Sequence, residues 1–142
     1  MHHLSGKEKK QLRERLPQGY EVDKKDQITK KDNILYKDDK PFLIELEGKL
    51  MPHLKSLPDN AFKAVYVDHG AIPFLVKGAD MMKPGIQKIE DGFEKGDIVI
   101  VRDEVKSKNL ALGFALFNSE DMKKQESGKS VKIYHYFGDS YY

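Results

Sequence analysis

Residues 65–86 read VYVDHGAIPFLVKGADMMKPGI, and few stretches leave a backbone so little freedom. Val65 and Val67 alternate with Tyr66 as a strand does. Asp68-His69-Gly70 then turns the chain. The run Ala71, Ile72, Phe74, Leu75, Val76 is too dense for a half-buried strand and predicts a short helix. Lys77-Gly78 closes that helix, because glycine adopts the left-handed conformation at a helix end without strain. Pro84-Gly85 bends the chain again. Asp68 precedes the helix start, where a short carboxylate accepts backbone N–H bonds and suits the helix dipole.

The flanking segments carry turn and strand signals of the same kind. Ser5 predicts a helix N-cap with Glu8 as its capping-box partner, Leu12 and Leu16 forming an apolar stripe among Lys7, Lys9, Lys10, Arg13 and Arg15. Pro17-Gln18-Gly19 ends it. Charge dominates from Lys24 to Lys40. Residues 33–36, an acidic turn at 37–40 and residues 41–46 read as a hairpin. Glu47-Gly48 makes a further turn, and Pro52 predicts a short helix with Leu54 and Leu57 facing inward. Pro58-Asp59-Asn60 marks a domain boundary, giving domains at 1–60 and 61–142. In the second half, strands are predicted at 98–101, 110–117 and 131–137, with Lys88 on another. Gly113 is a bulge or close-approach point, and Asn118-Ser119 caps a short helix. Five short strands with two short helices fit a small barrel. Met81 and Met82 read as core filler.

The order and spacing of these fragments resemble the PUA domain, the RNA-binding module named after pseudouridine synthases and archaeosine transglycosylases. Val67-Asp68, Gly70-Ala71, the helix to Val76, Gly78-Ala79 and Met82 through Ile86 carry the resemblance. So do Gly96 through Val101, Leu112 through Ala115, and Gly128-Lys129 through Gly138-Asp139. Residues 34–58, with Glu47-Gly48, Pro52-His53-Leu54 and Leu57-Pro58, look like the pre-PUA domain. That domain precedes PUA in the translation-factor family of the malignant-T-cell-amplified protein and its archaeal relatives. The expected fold is α+β, a small pre-PUA domain followed by a mixed β pseudobarrel with short helices.

Composition narrows the chemistry. The chain has 142 residues, no cysteine and a net charge of +2, so thiol chemistry is excluded and a nucleic-acid role needs a local basic patch. Nothing approaches the ~18 apolar residues of a membrane span. The N-terminus lacks an apolar signal core, so the expected location is cytoplasmic. Asp68 and His69 are adjacent on extended chain and point to opposite faces. Ser56, Ser107, Ser119 and Ser140 lie in turns without a nucleophile elbow. The histidines show no metal-ligand spacing. No enzyme activity, metal or cofactor is expected.

Gly70 serves either the backbone angles of its turn or the approach of a ligand to bare main chain. The resemblance implies the second, with this turn, its helix and the last strand forming the RNA-contacting face. The implied RNA-binding residues are His69, Gly70, Ala71, Lys77, Gly78, Lys83, Lys129, Lys132, His135 and Tyr136. The lysines supply phosphate attraction and a tyrosine supplies a stacking surface. Strand alternation sets His135 on the face opposite Tyr134 and Tyr136. The expected function is recognition of structured RNA, a tRNA or ribosomal RNA, in connection with translation or the ribosome. The alternative is a protein-interaction adaptor docking an initiation-factor-like partner through the pre-PUA domain.

Overall fold

Ser5 and Glu8 form the predicted capping box in the computed structural model, which describes all 142 residues, Met1–Tyr142. The Glu8 N–H donates to Ser5 Oγ at 3.2 Å and the Ser5 N–H donates to Glu8 Oε1 at 3.0 Å, opening α1 (Gly6–Arg13). Leu12 is buried and Leu16 half-buried. Two cations of the helix are drawn onto a following loop: Lys9 Nζ donates to the Lys24 carbonyl at 2.8 Å, and Arg13 Nε to the Val22 carbonyl at 2.6 Å.

The chain divides into two units, Met1–Ala61 with Tyr141 and Phe62–Ser140 with Tyr142. In the first, β1 (His2–His3), β2 (Ile28–Lys31), β3 (Ile34–Lys37), β4 (Lys40–Leu46) and β5 (Lys49–Pro52) form an antiparallel sheet in sequence order. The predicted hairpin is β3–β4. Asp38 and Asp39 both take positive φ, 49° and 67°, the pair of left-handed residues that matches a tight turn to strand twist. Glu47 and Gly48, at 50° and 78°, repeat the device between β4 and β5. Tyr20 packs its ring on Phe42 at 5.2 Å and donates its hydroxyl to the Ser56 carbonyl at 2.6 Å. Burial pushes its phenol well above the usual range.

Pro52 starts no helix, contrary to the sequence expectation. It ends β5 opposite Leu43, and one turn follows, closed by the Ser56 N–H on the His53 carbonyl and the Lys55 N–H on His53 Nδ1. A residue without an N–H suits a strand end as well as a helix start. Leu54 is buried as expected and Leu57 only half so.

The second unit is a single curled sheet, a pseudobarrel. Its strands are β6 (Lys63–Val67), β7 (Met81–Met82), β8 (Ile86–Ile89), β9 (Ile98–Asp103), β10 (Asn109–Ala115) and β11 (Lys129–Tyr136), in the order β7-β11-β10-β9-β6-β8. Only β6 and β9 run parallel. There is one strand more than expected, the two-residue β7 pairing with β11. The core is Val65, Val67, Leu75, Val99, Val101, Ala111, Met122 and Val131 with their neighbours. The helices are short: α2 (Ile72–Leu75), preceded by a 3-10 turn at His69–Ala71, and α3 (Ser119–Lys124), capped by Asn118 accepting the Asp121 N–H at 2.8 Å.

Gly113 marks a close approach, as its sequence context predicts. The register between β10 and β11 shifts at Leu112/Gly113, and a Cβ at Gly113 would stand about 2.5 Å from the Lys132 carbonyl oxygen. No helix is long and apolar enough to cross a membrane.

Candidate nucleic-acid interface

Asp68 leaves β6 and caps the turn that follows it. Its Oδ1 accepts the Ala71 N–H at 3.2 Å and its Oδ2 accepts the Gln87 side-chain amide at 3.2 Å. His69 and Gly70 are exposed and Ala71 is half-buried, so the turn lies at the surface. The Ala71 N–H is occupied by Asp68, which narrows the bare main chain to His69 and Gly70. Gly70 does not have positive φ, and a Cβ there would meet only Asp68 Oδ1 at 3.2 Å. Its backbone conformation therefore does not require glycine.

The helix beyond the turn ends as predicted. Gly78 has φ +89°, its N–H donates to the Leu75 carbonyl at 3.0 Å, and the Ala79 N–H donates to the Phe74 carbonyl at 3.1 Å. This is a Schellman stop. Tyr136 packs beneath it, its Cε1 only 3.0 Å from where a Gly78 Cβ would stand. Leu75 points into the core, whereas Phe74, one position earlier on a single-turn helix, is 66% exposed. Met82 is 44% exposed, correcting the expectation that both methionines fill the core; only Met81 does. The two-residue β7 alternates, so its second side chain faces out.

Between this turn and β7 lies a groove of about 500 Å³, lined mainly by Gly70, Ala71, Phe74, Met81, Met82 and Pro84, with Asp68 and Asp80 in its walls. Asp80 accepts the Ile133 N–H at 2.9 Å and pairs with Lys129 at 3.3 Å. Lys77 and Lys132 are exposed and stand in no ion pair.

Two predicted site residues are committed elsewhere. Lys83 Nζ donates to the Gln125 carbonyl at 2.7 Å, at the C-terminal end of α3, where a cation satisfies open carbonyls. His135 is 0% exposed, and its Nδ1 donates to Asp139 Oδ2 at 2.9 Å. Asp139 also accepts the Tyr136 N–H at 2.8 Å, so the histidine belongs to a buried strand-end network and not to a surface. His69, Gly70, Ala71, Lys77 and Gly78 lie on one segment. Of the β11 residues, Tyr136 packs against Gly78 and the core, Lys129 stands opposite Met82 of β7, and Lys132 stands opposite Phe114 of β10. Sequence reading missed Phe74, Met82 and Asp80. The signal for Phe74 was its position 100° from Leu75 on a one-turn helix, off the buried side.

Residues 63–137 match the family model of the PUA domain, and residues 1–60 match a domain of unknown function, DUF1947. An uncharacterized protein of Methanocaldococcus jannaschii is 40% identical over 116 residues, 79% of this chain and 70% of that protein. Translation machinery-associated protein 20 of Saccharomyces cerevisiae is 36% identical over 100 residues, covering 64% of this chain and 55% of that protein. The chain thus spans little more than half of the yeast relative. The crystal structure of a hypothetical protein from Pyrococcus horikoshii superposes with a TM-score of 0.77 at 31% identity, over 98% of this chain and 95% of that one. An H/ACA ribonucleoprotein bound to a substrate RNA superposes with a TM-score of 0.55 at 27% identity, over 67% of this chain and 29% of that one. With more than half its length on the domain's model, and with the curled sheet, Schellman-stopped helix and surface turn that its sequence forecast, the chain belongs to the PUA-domain family.

Proposed function

We propose that this chain is a non-catalytic RNA-binding protein that engages structured RNA, a tRNA or ribosomal RNA, and serves translation. The observation that carries this reading is Gly70. It is an exposed turn glycine whose conformation does not require a glycine, and it opens onto a largely apolar groove with Asp68 and Asp80 in its walls, the exposed Lys77 and Lys132 lying outside that lining. Each part answers a need of RNA. A missing side chain admits a sugar–phosphate backbone, exposed Phe74 and Met82 offer apolar surface to an unpaired base, and Lys77 and Lys132, which stand in no ion pair, attract phosphate. The RNA held by the ribonucleoprotein neighbour and the name of the yeast relative support the partner class and the link to translation. An enzymatic reading finds less support, since Asp68 is held by the Ala71 N–H and Gln87.

The test is a fluorescence-anisotropy titration of a labelled RNA hairpin bearing a single-stranded 3′ tail, with wild-type chain and with K77E/K132E. The reading predicts log affinity falling linearly with log salt. The slope should be shallower by about 1.4–1.8 in the double variant, which no longer neutralises two of the phosphates. An unchanged affinity in K77E/K132E, or a salt-independent wild type, contradicts it.

A further inference from the structure

Tyr66 on β6 stands between two cations on the outer face of the sheet. In register it faces Lys88 of β8 on one side and Arg102 of β9 on the other, and Arg102 faces Asn109 of β10. The alternate residues Val65, Val67, Ile89 and Val101 are buried in the core, so this row lies on the other side of the sheet, where Lys88 is exposed, Tyr66, Arg102 and Asn109 are half-buried and Ala64 and Ile100 are covered. Lys88 Nζ lies 5.3 Å from the Tyr66 ring centre and Arg102 Cζ 5.6 Å. Arg102 is fixed further: its Nε donates to Asn109 Oδ1 at 2.8 Å and its Nη1 to the Tyr66 hydroxyl at 3.0 Å. Lys108, next to Asn109, holds its ammonium 3.5 Å from the ring centre of Phe137. Phe137 follows β11 and donates its N–H to the Leu110 carbonyl at 2.8 Å, carrying the row across one more strand.

These three cations share one property. Arg15, Lys30, Lys37, Lys123 and Lys129 each pair with a carboxylate. Lys88, Arg102 and Lys108 are held instead by rings, a hydroxyl and an amide. A carboxylate partner cancels the charge it positions. A ring face or an amide positions it and leaves it uncancelled. The ordering that a loose lysine must undergo when it meets an anion is here already partly done by the fold. Strands about 4.8 Å apart spread the row over roughly 19 Å. Glu104 and Lys106, both exposed in the β9–β10 loop, offset one another.

We propose that the Lys88–Arg102–Lys108 row is a second RNA-contacting surface, taking successive phosphates of one polynucleotide strand and separate from the Gly70 groove. It rests on the RNA-binding reading above and extends the footprint to a face which that reading leaves unused. Tyr66 and Phe137 act as positioning residues that hold the cations.

The test uses the full chain and the same tailed hairpin between ~50 and ~200 mM salt. Lys88 and Lys108 are exposed and donate no hydrogen bond, so K88E/K108E is expected to fold, checked by its thermal melt. Its salt slope is expected to be shallower than wild type by about 1.4–1.8. Tyr66→Ala keeps every charge but frees Lys88 and Arg102, so it is expected to weaken binding while leaving the slope within about half a unit of wild type. K95E/K124E, which removes two exposed lysines outside the row, is expected to retain the wild-type slope. A K88E/K108E slope equal to wild type, or an equal loss in K95E/K124E, overturns the proposal. If K77E/K132E is impaired while K88E/K108E is not, only this second surface falls. If the wild type binds no RNA, both readings fall.

Discussion

The ring of Tyr136 lies directly beneath Gly78, with Cε1 3.0 Å and the hydroxyl oxygen 3.4 Å from the position a Cβ would take. One contact thus ties the end of α2 to the end of β11. Gly78→Ala is expected to lose about 1–3 kcal/mol, from the left-handed φ and from displacing the ring. In a Tyr136→Ala background the same change should cost less, because the ring is gone. Urea unfolding of the four chains measures this coupling. Equal costs in both backgrounds would assign the whole effect to φ.

Gly70→Ala separates binding from stability. The residue has ordinary φ and is exposed, so the substitution should change unfolding free energy by no more than about 0.5 kcal/mol. RNA affinity should nevertheless fall, since a methyl then stands where the strand approaches. Anisotropy and a denaturant melt on the same sample check both halves. Undiminished affinity would remove Gly70 from the interface.

Gly113→Ala should be the most damaging single-methyl addition in the second unit. The new Cβ would press on the Lys132 carbonyl at about 2.5 Å and on Val131 Cγ1 at 2.6 Å, and a paired backbone has little room to yield. A loss of about 3 kcal/mol or more is expected, above Gly78→Ala, read from the urea midpoint.

Glu45 links the first unit's stability to pH. The Lys30 ammonium, which donates to it at 2.9 Å, holds its carboxyl below the usual range against the opposing effect of partial burial, with Arg15 assisting. A group whose folded pKa is depressed stabilises the fold above its unfolded pKa, about 4.3 for glutamate, and that stabilisation fades as pH falls below it. Lys30→Met should therefore destabilise the chain near neutrality by up to about 1 kcal/mol and by less near pH 3. Thermal melts across that range decide it; a difference that grows on acidification would contradict it.

What the sequence made legible was local. The Ser5–Glu8 box, the left-handed turns at Asp38-Asp39 and Glu47-Gly48, the Asp68 cap, the Gly78 stop and the Gly113 approach each depend on a few neighbouring residues, and all formed. Ambiguity began where one signal serves two elements, as at Pro52, whose missing N–H suits a strand end or a helix start. The strand β2 was hidden because Lys30 and Lys31 follow Ile28 and Thr29 in a highly charged segment. Alternation set His135 on the face opposite Tyr134 and Tyr136, but the register shift between β10 and β11 leaves Tyr134 as an extra residue, so the Tyr134 and His135 ring centres lie 6.3 Å apart while Tyr136 packs on the core. Lys83 finds its acceptor at Gln125, a contact between distant segments that local pattern does not encode.

Ultraviolet crosslinking of the tailed hairpin to the full chain, followed by mass spectrometry of the linked peptides, tests the central claim most directly. The account predicts crosslinks within residues 69–83 and 129–136, where the open turn, the groove and β11 meet. Crosslinks confined to residues 1–60, or none above a non-binding control, would contradict it.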